Sequence, residues 1–247
     1  MNYDQTSNPV LQERAFEAEQ ASTELMSIPG CVNKTAICLG LLAFSALFAW
    51  KTSYASAEDL MGKTMLFMIA AFVTALVTVF KPLWAKVTAP LYSIFEGLVL
   101  GSISMVFEKT YPGIVGQAIA LTLGVFAAML FAYKTQFIRV TEKLTMGIFA
   151  ATVGIALVYL ANLVFHLFGG QGFSFLHSSS GFSIAFSLFV VAIAALNLVL
   201  DFDFIARQSR RGSPKELEWY AAFGLMVTLV WLYIEILRLL SKLNNRR

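Results

Sequence analysis

Charged residues are scarce in this sequence. Lys, Arg, Asp and Glu make up 13% of the 247 residues, and hydrophobic residues make up 58%. About 25% of the residues are charged in an average soluble domain. The mean hydropathy of +0.71 points the same way. These values exclude one large or two small soluble domains, and they indicate an integral membrane protein.

Histidine and cysteine are also scarce, with two of each. A membrane zinc hydrolase needs a cluster of His and Asp ligands, whereas His166 ends an apolar run and His177 falls in a loop. Cys31 and Cys38 lie near the start of the first apolar run without partner ligands. We interpret them as structural thiols that stay reduced near the cytoplasmic face, and we expect no cofactor.

Other enzyme and transport classes lack their signatures as well. A rhomboid-type serine protease needs a histidine after its nucleophile, and none follows Ser183. A retinal protein needs a lysine in the middle of its last helix, and Lys242 is predicted to lie beyond the end of that helix. A secondary transporter favours an inverted repeat or broken helices, and neither is visible. We therefore expect no enzyme, and no nucleic-acid partner.

Seven apolar runs dominate the chain. They cover residues 35–50, 64–80, 91–107, 114–133, 144–168, 182–200 and 219–240. Most approach the ~20 residues that cross a hydrocarbon core of ~30 Å, while the first two are short and either extend into their flanks or tilt. The runs predict an all-α integral membrane protein of seven transmembrane helices. Its parts would be a polar segment 1–34, a membrane domain 35–243 and a basic tail 244–247.

Lys and Arg are distributed unevenly between the two sides of the predicted helices. The N-terminal side holds eleven of the 18, the opposite loops three, and the C-terminal end four. Short loops rich in Lys and Arg stay in the cytoplasm, so we predict a cytoplasmic N-terminus and an external C-terminus. The basic tail disagrees, and it would be cytoplasmic if run seven is re-entrant. The first segment lacks a basic region followed by an apolar core, so run one is expected to be an uncleaved anchor.

Run three carries a face of small and polar residues at three- and four-residue steps: Ser93, Glu96, Gly97, Leu100, Gly101 and Ser104. The two glycines are spaced to let another helix approach closely. Glu96 in such a seam must be protonated, hydrogen-bonded or beside water. It is either a packed neutral side chain or a functional carboxylate.

Asp201 and Asp203 follow the sixth run, where we predict that the helix meets its loop. A carboxylate within hydrocarbon costs roughly 2.5–3.5 kcal/mol on insertion scales, which favours a function for at least one of them. They point ~200° apart at 100° per residue, so we expect different roles. Asn197 shares the face of Asp201, which could otherwise be a helix-end residue in the headgroup layer. Arg207 lies one turn after Asp203 and could pair with it.

The last run opens with Glu216 and Glu218, which suit the positive end of a helix dipole. Thr228 and Glu235 share a face further on. Arg238 follows Glu235 by three residues, so Glu235 either forms an ion pair near the outer interface or has a function.

Three segments carry a family resemblance: FEGLVLG at 95–101, LDFDFIARQ at 200–208, and EWYAAFGLMVTLVWLYIEILRLL at 218–240. With them the sequence resembles the Bax inhibitor-1 family, and within it a bacterial branch, over most of residues 35–243. The resemblance implies two three-helix layers around a central C-terminal helix in a bacterial inner membrane. For some members it also implies a pH-sensitive calcium leak.

In those members an aspartate at the end of helix six faces a second one in helix seven. Asp203 fills the first position by this resemblance and Thr228 the second, so the carboxylate pair is not preserved. We expect an ion pathway or gate formed by Asp203, Asp201, Glu96, Thr228, Arg207 and Glu235. Calcium would pass at the first three, with Glu96 close to Asp201 or Asp203. The alternative is a non-conducting regulator that binds other membrane proteins, such as a membrane protease or a cell-death protein.

Overall fold

The computed structural model describes residues 24–52, 57–168, 173, 176 and 178–246. Within that part of the chain, seven helices are long and apolar enough to cross a membrane, which confirms the predicted all-α membrane fold. They are α1 (Ile28–Lys51), α2 (Ala57–Phe80), α3 (Ala85–Thr110), α4 (Ile114–Lys134), α5 (Glu142–Leu167), α6 (Gly181–Arg211) and α7 (Leu217–Asn244). A short 3-10 helix, Pro82–Trp84, precedes α3. His177 and most of the predicted polar segment 1–34 lie outside the described residues.

The first two helices extend into their flanks, which was one of the two alternatives for short runs. α1 begins seven residues before the predicted start because Ser27, in an extended conformation, accepts a hydrogen bond from the backbone of Gly30 at 3.0 Å. Pro29 stands in the first turn, where its missing N–H leaves no partner unsatisfied. The first two turns contain Pro29, Gly30, Asn33 and Lys34, so hydropathy alone does not detect them.

α6 continues to Arg211, so Asp201 and Asp203 lie inside a helix and not at its end as predicted. Hydropathy falls after residue 200, but Phe202 and Phe204 remain buried, so the helix is still packed on different sides beyond its predicted end. The helix ends in a Schellman motif. Gly212 has φ +75°, and the backbone N–H of residue 213 donates to the carbonyl of residue 208.

α7 is also longer than its apolar run and ends at Asn244. The prediction that Lys242 lies beyond the last helix is therefore wrong: it stands in the last turn of α7 and is 4% exposed.

The described chain divides into two compact units. The first contains residues 24–110 and Phe204–Val227, and the second contains Tyr111–Asp203 and residues 228–246, so α6 and α7 each contribute to both. In the first unit α3 packs against α1 and α2. Thr78 of α2 donates a buried hydrogen bond of 2.7 Å to Thr88 of α3.

The glycine face of α3 makes a close contact with another helix of the first unit. A Cβ at Gly97 would lie 2.0 Å from the Ser45 hydroxyl, and a Cβ at Gly101 would lie 2.3 Å from the carbonyl oxygen of Ala46. Both neighbours belong to α1. This confirms the prediction that the two glycines let another helix approach closely.

The second unit has its own apolar core. Ile155 of α5 and Val190 and Ile193 of α6 form it, with Tyr159 and Trp231 packed against it. Outside such contacts, α2 and α5 expose large apolar side chains, for example Phe72 and Leu160. An apolar surface of this extent suits contact with lipid.

Candidate functional site

Asp201 is completely buried in the second unit and bonded to the last helix. Its Oδ2 accepts a hydrogen bond of 2.6 Å from the hydroxyl of Thr228. One turn earlier on α6, the Asn197 amide donates to Thr152 of α5 and to its own helix at the carbonyl of Ile193, both at 2.9 Å. A line of polar side chains therefore runs along one face of α6 inside the membrane domain.

The resemblance had placed Asp203, not Asp201, opposite Thr228, and the structure corrects this. Two residues along a helix rotate a side chain by ~200°, so only one of the two aspartates can face α7. Asp203 is half-buried and accepts a hydrogen bond of 3.2 Å from the hydroxyl of Tyr133, on α4. The two aspartates have different hydroxyl partners, and the predicted difference in their roles stays a prediction. Pairing of Arg207 with Asp203 stays a prediction.

Glu96 is half-buried on α3, and it is hydrogen-bonded to Tyr92 one turn earlier. This is one of the three states predicted for a carboxylate at this seam. The glycine and serine positions of the same face are buried, as the spacing indicated. The approach of Glu96 to Asp201 or Asp203 stays a prediction.

Glu235 is buried and forms an ion pair with Arg238, whose side chain is partly exposed; an ion pair was one of the two predicted roles of Glu235. Its oxygens accept hydrogen bonds from the Tyr159 hydroxyl at 3.0 and 3.1 Å and from Arg238 at 2.9 Å. The indole of Trp231 is bonded to it as well. Arg238 also donates to the Tyr159 hydroxyl at 2.6 Å and stacks over that ring, with its Cζ 5.0 Å from the centroid. Arg238, Glu235 and Tyr159 therefore form one hydrogen-bonded network, in which the guanidinium balances the charge of the carboxylate.

A second buried carboxylate network lies in the first unit, and the sequence did not indicate it. Glu218 is 0% exposed. Its carboxylate accepts hydrogen bonds from the backbone N–H and the hydroxyl of Ser27, at 2.9 and 3.0 Å, and it forms an ion pair with Lys34. Lys34 also lies over the Trp219 ring. Glu218 was predicted to serve the helix dipole. Its larger role is to fasten the start of α1 to the start of α7.

We call this connection between the starts of α1 and α7, formed by Ser27, Gly30, Lys34 and Glu218, the α1–α7 latch. Backbone contacts lie beside it. Residue 26 donates its N–H to the carbonyl of residue 213 at 2.7 Å, beside an antiparallel bridge between residues 25 and 214. Lys215 forms an exposed ion pair with Glu24, and the hydrogen bond to that carboxylate raises the pKa of Lys215. An exposed pair of this kind contributes little stability.

We predict that Gly30→Ala breaks the α1–α7 latch. A Cβ there would lie 2.1 Å from Oε1 of Glu218, so the buried carboxylate has to leave its partners. Breaking a buried ion pair in this way is expected to lower the free energy of unfolding by about 3 kcal/mol. Chemical unfolding in detergent micelles, followed by circular dichroism, measures it.

Gly40→Ala is the matched control, because a Cβ at that position of the same helix meets nothing within 4 Å. Alanine in place of glycine inside a helix should raise stability by about 0.5–1 kcal/mol. Equal stability of the two variants would show that Glu218 can move without loss, and that the latch is unimportant.

The described residues contain no group of three His, Cys, Asp or Glu side chains that could hold a metal ion. Cys31 and Cys38 are free and buried, and their interpretation as structural thiols stays a prediction. Hydroxyl groups donate hydrogen bonds to Asp201, Asp203 and Glu235, and a guanidinium also donates to Glu235.

Seven membrane-spanning helices with carboxylates buried among them define a multi-pass membrane protein. Comparison with protein families then places it: the sequence model of the Bax inhibitor 1 like family matches residues 8–245, nearly the whole chain, and the protein belongs to that family. Neither the curated proteins nor the solved structures compared with the chain gave a match.

Proposed function

We propose that this protein is a calcium or cation leak, with Asp201 as the carboxylate that meets the ion and Thr228 as the residue that closes the path. The main support is the 2.6 Å hydrogen bond between a fully buried aspartate of α6 and a hydroxyl of α7. An ionisable side chain inside a membrane helix is costly, so its presence favours a function. The family resemblance implies such a leak for some relatives.

The partners of the carboxylates support transient contact with cations. Asp201, Asp203 and Glu96 are each bonded to a hydroxyl, from Thr228, Tyr133 and Tyr92. A hydroxyl donor occupies an oxygen lone pair and leaves the negative charge of the carboxylate unchanged. Calcium prefers six to eight oxygen ligands when it is held firmly, whereas a path must not hold it too tightly. We propose Asp203 as a further lining group near Asp201, and Glu96 as a separate candidate in the first unit.

Calcium flux into proteoliposomes that contain an indicator dye tests this function. Asp201→Asn keeps the shape of the side chain and an oxygen for Thr228, but it removes the charge. We expect flux to fall about tenfold, the effect of roughly 1.4 kcal/mol at the barrier. Asp59→Asn is the control, because Asp59 forms a pair with Lys63 outside this site. Absence of flux through wild-type protein would contradict a leak and favour a regulator that binds other membrane proteins.

We also propose that the protein lies in the inner membrane with its N-terminus in the cytoplasm, on the Lys and Arg distribution of its loops. Both native cysteines are buried, so an added cysteine reports alone. A cysteine replacing exposed Arg210 should react with an impermeant maleimide only after intact cells are permeabilised. A cysteine replacing exposed Lys109 should react from outside. The reverse pattern would show the opposite orientation.

A further inference from the structure

Lys242 is buried at the C-terminal end of α7, among polar groups of α6. Its ammonium donates a hydrogen bond of 2.7 Å to the hydroxyl of Ser187, and the carbonyl oxygen of Ser183 lies 3.5 Å away. Ser187 is 1% exposed and Ser183 is 0% exposed. This place is ~21 Å along α7 from Thr228, at 1.5 Å per residue. It is separate from the proposed ion gate.

The charges around Lys242 do not balance. No carboxylate of the described chain forms an ion pair with it within 4.0 Å. The nearest acid along α7, Glu235, is already held by Arg238, Tyr159 and Trp231. Glu235 also attracts Lys242, so among the described residues at this end of α7 two cationic side chains share one carboxylate. A buried ammonium without a counter-ion is costly, which favours a bound negative charge.

The groups that face Lys242 can donate hydrogen bonds to such a charge. Ser187 accepts from Lys242, so the hydrogen of its own hydroxyl remains for another acceptor. Ser183 lies one turn earlier on the same face of α6, and its buried hydroxyl has no hydrogen-bond partner among the described residues. Both serines belong to the first two turns of α6, where the helix dipole is positive. The arrangement offers donors and a positive charge, which are the ligands of an anion.

We propose that Lys242, Ser183 and Ser187 form a binding site for one chloride-sized inorganic anion, which neutralises the surplus positive charge at this end of α6 and α7. A compact ion fits better than a lipid phosphate because all three side chains are at most 4% exposed. The site does not depend on calcium conduction.

Thermal unfolding in a detergent with a neutral headgroup tests the site, with chloride or bromide compared with gluconate at equal ionic strength. A ligand that binds only the folded protein raises the unfolding temperature in a saturable way. We expect this rise for wild-type protein and its loss in Lys242→Met. Lys134→Met, which removes an exposed lysine from the last turn of α4, should keep the full rise.

Ser183→Ala separates ligand binding from general stability, because it removes one hydroxyl and disrupts no hydrogen bond of its side chain. In gluconate it should unfold at the wild-type temperature or above, since an unsatisfied buried hydroxyl has been removed. The apparent affinity of this variant for chloride should fall about tenfold, which is the effect expected from the loss of one hydrogen bond to a charged group.

Three results would overturn the anion site. One is an unfolding temperature of wild-type protein that is the same in chloride and gluconate. Another is a halide response that survives in Lys242→Met, since it would arise elsewhere. The third is a rise that appears only in nanodiscs with an anionic phospholipid and never with halide, which would assign the negative charge to a lipid headgroup.

Discussion

Gly101→Ala is expected to lower the free energy of unfolding by about 3 kcal/mol or more, because it overpacks a contact between two backbones. The new Cβ would lie 2.3 Å from the carbonyl oxygen of Ala46 and 2.9 Å from its Cα. These atoms belong to the rigid backbone of α1 and not to a flexible side chain. The only relief is separation of α1 from α3, which also weakens the packing at Gly97. Chemical unfolding in micelles measures the loss.

Gly124→Ala in α4 is the control for this prediction, because a Cβ at that position meets nothing within 4 Å. It should leave stability unchanged or raise it by about 0.5–1 kcal/mol, as alanine does in a helix. If Gly101→Ala were as stable as Gly124→Ala, α1 and α3 would not be in the close contact described above.

Thr228→Asp is expected to create a pH-dependent calcium flux that the wild-type protein lacks. Two carboxylates in hydrogen-bond contact share one proton. They retain it to a higher pH than a single carboxylate would, because placing two negative charges side by side is costly. In this variant the shared proton should hold α6 and α7 together at about pH 6, and its loss should drive them apart towards about pH 8. Flux should therefore rise severalfold with pH, whereas wild-type flux should change little.

The double variant Asp201→Asn, Thr228→Asp is the control. It leaves one carboxylate in the contact between positions 201 and 228, so the flux should lose its pH dependence. Asp203→Asn in the Thr228→Asp background should keep it, since the Thr228 hydroxyl donates to Asp201 and the hydroxyl of Tyr133 donates to Asp203. Wild-type flux that already varies severalfold over this range and becomes constant in Asp201→Asn would show that Asp201 senses protons without a second aspartate. Our interpretation of Thr228 would then be wrong.

The sequence predicts those features of the fold that follow from hydropathy and residue spacing. Seven apolar runs indicate seven helices because each run satisfies the length of a membrane crossing. The spacing of Gly97 and Gly101 indicates a close helix contact because residues four apart share a face. Both features depend on local sequence, and the structure confirms both.

The sequence is less informative about helix ends and side-chain partners, which depend on tertiary contacts. Hydropathy ended the sixth helix at residue 200, whereas buried Phe202 and Phe204 continue it and make Asp201 an interior residue. Spacing showed that Asp201 and Asp203 point apart, but not which one faces α7. Glu218 and Lys242 resembled helix-end residues, because their partners Ser27 and Ser187 lie far away in sequence. No single-sequence pattern marks such pairs.

Calcium flux through Thr228→Val, compared with wild-type protein in the same liposomes, tests the proposed gate most directly. Valine keeps the branched shape but cannot bond Asp201, so a buried carboxylate loses the hydroxyl that closes the path. Thr122→Val is the control, because that hydroxyl bonds only its own helix at the carbonyl of Ala118. We predict a severalfold higher flux for Thr228→Val, and wild-type flux for Thr122→Val and Thr228→Ser. Wild-type flux through Thr228→Val would contradict the account.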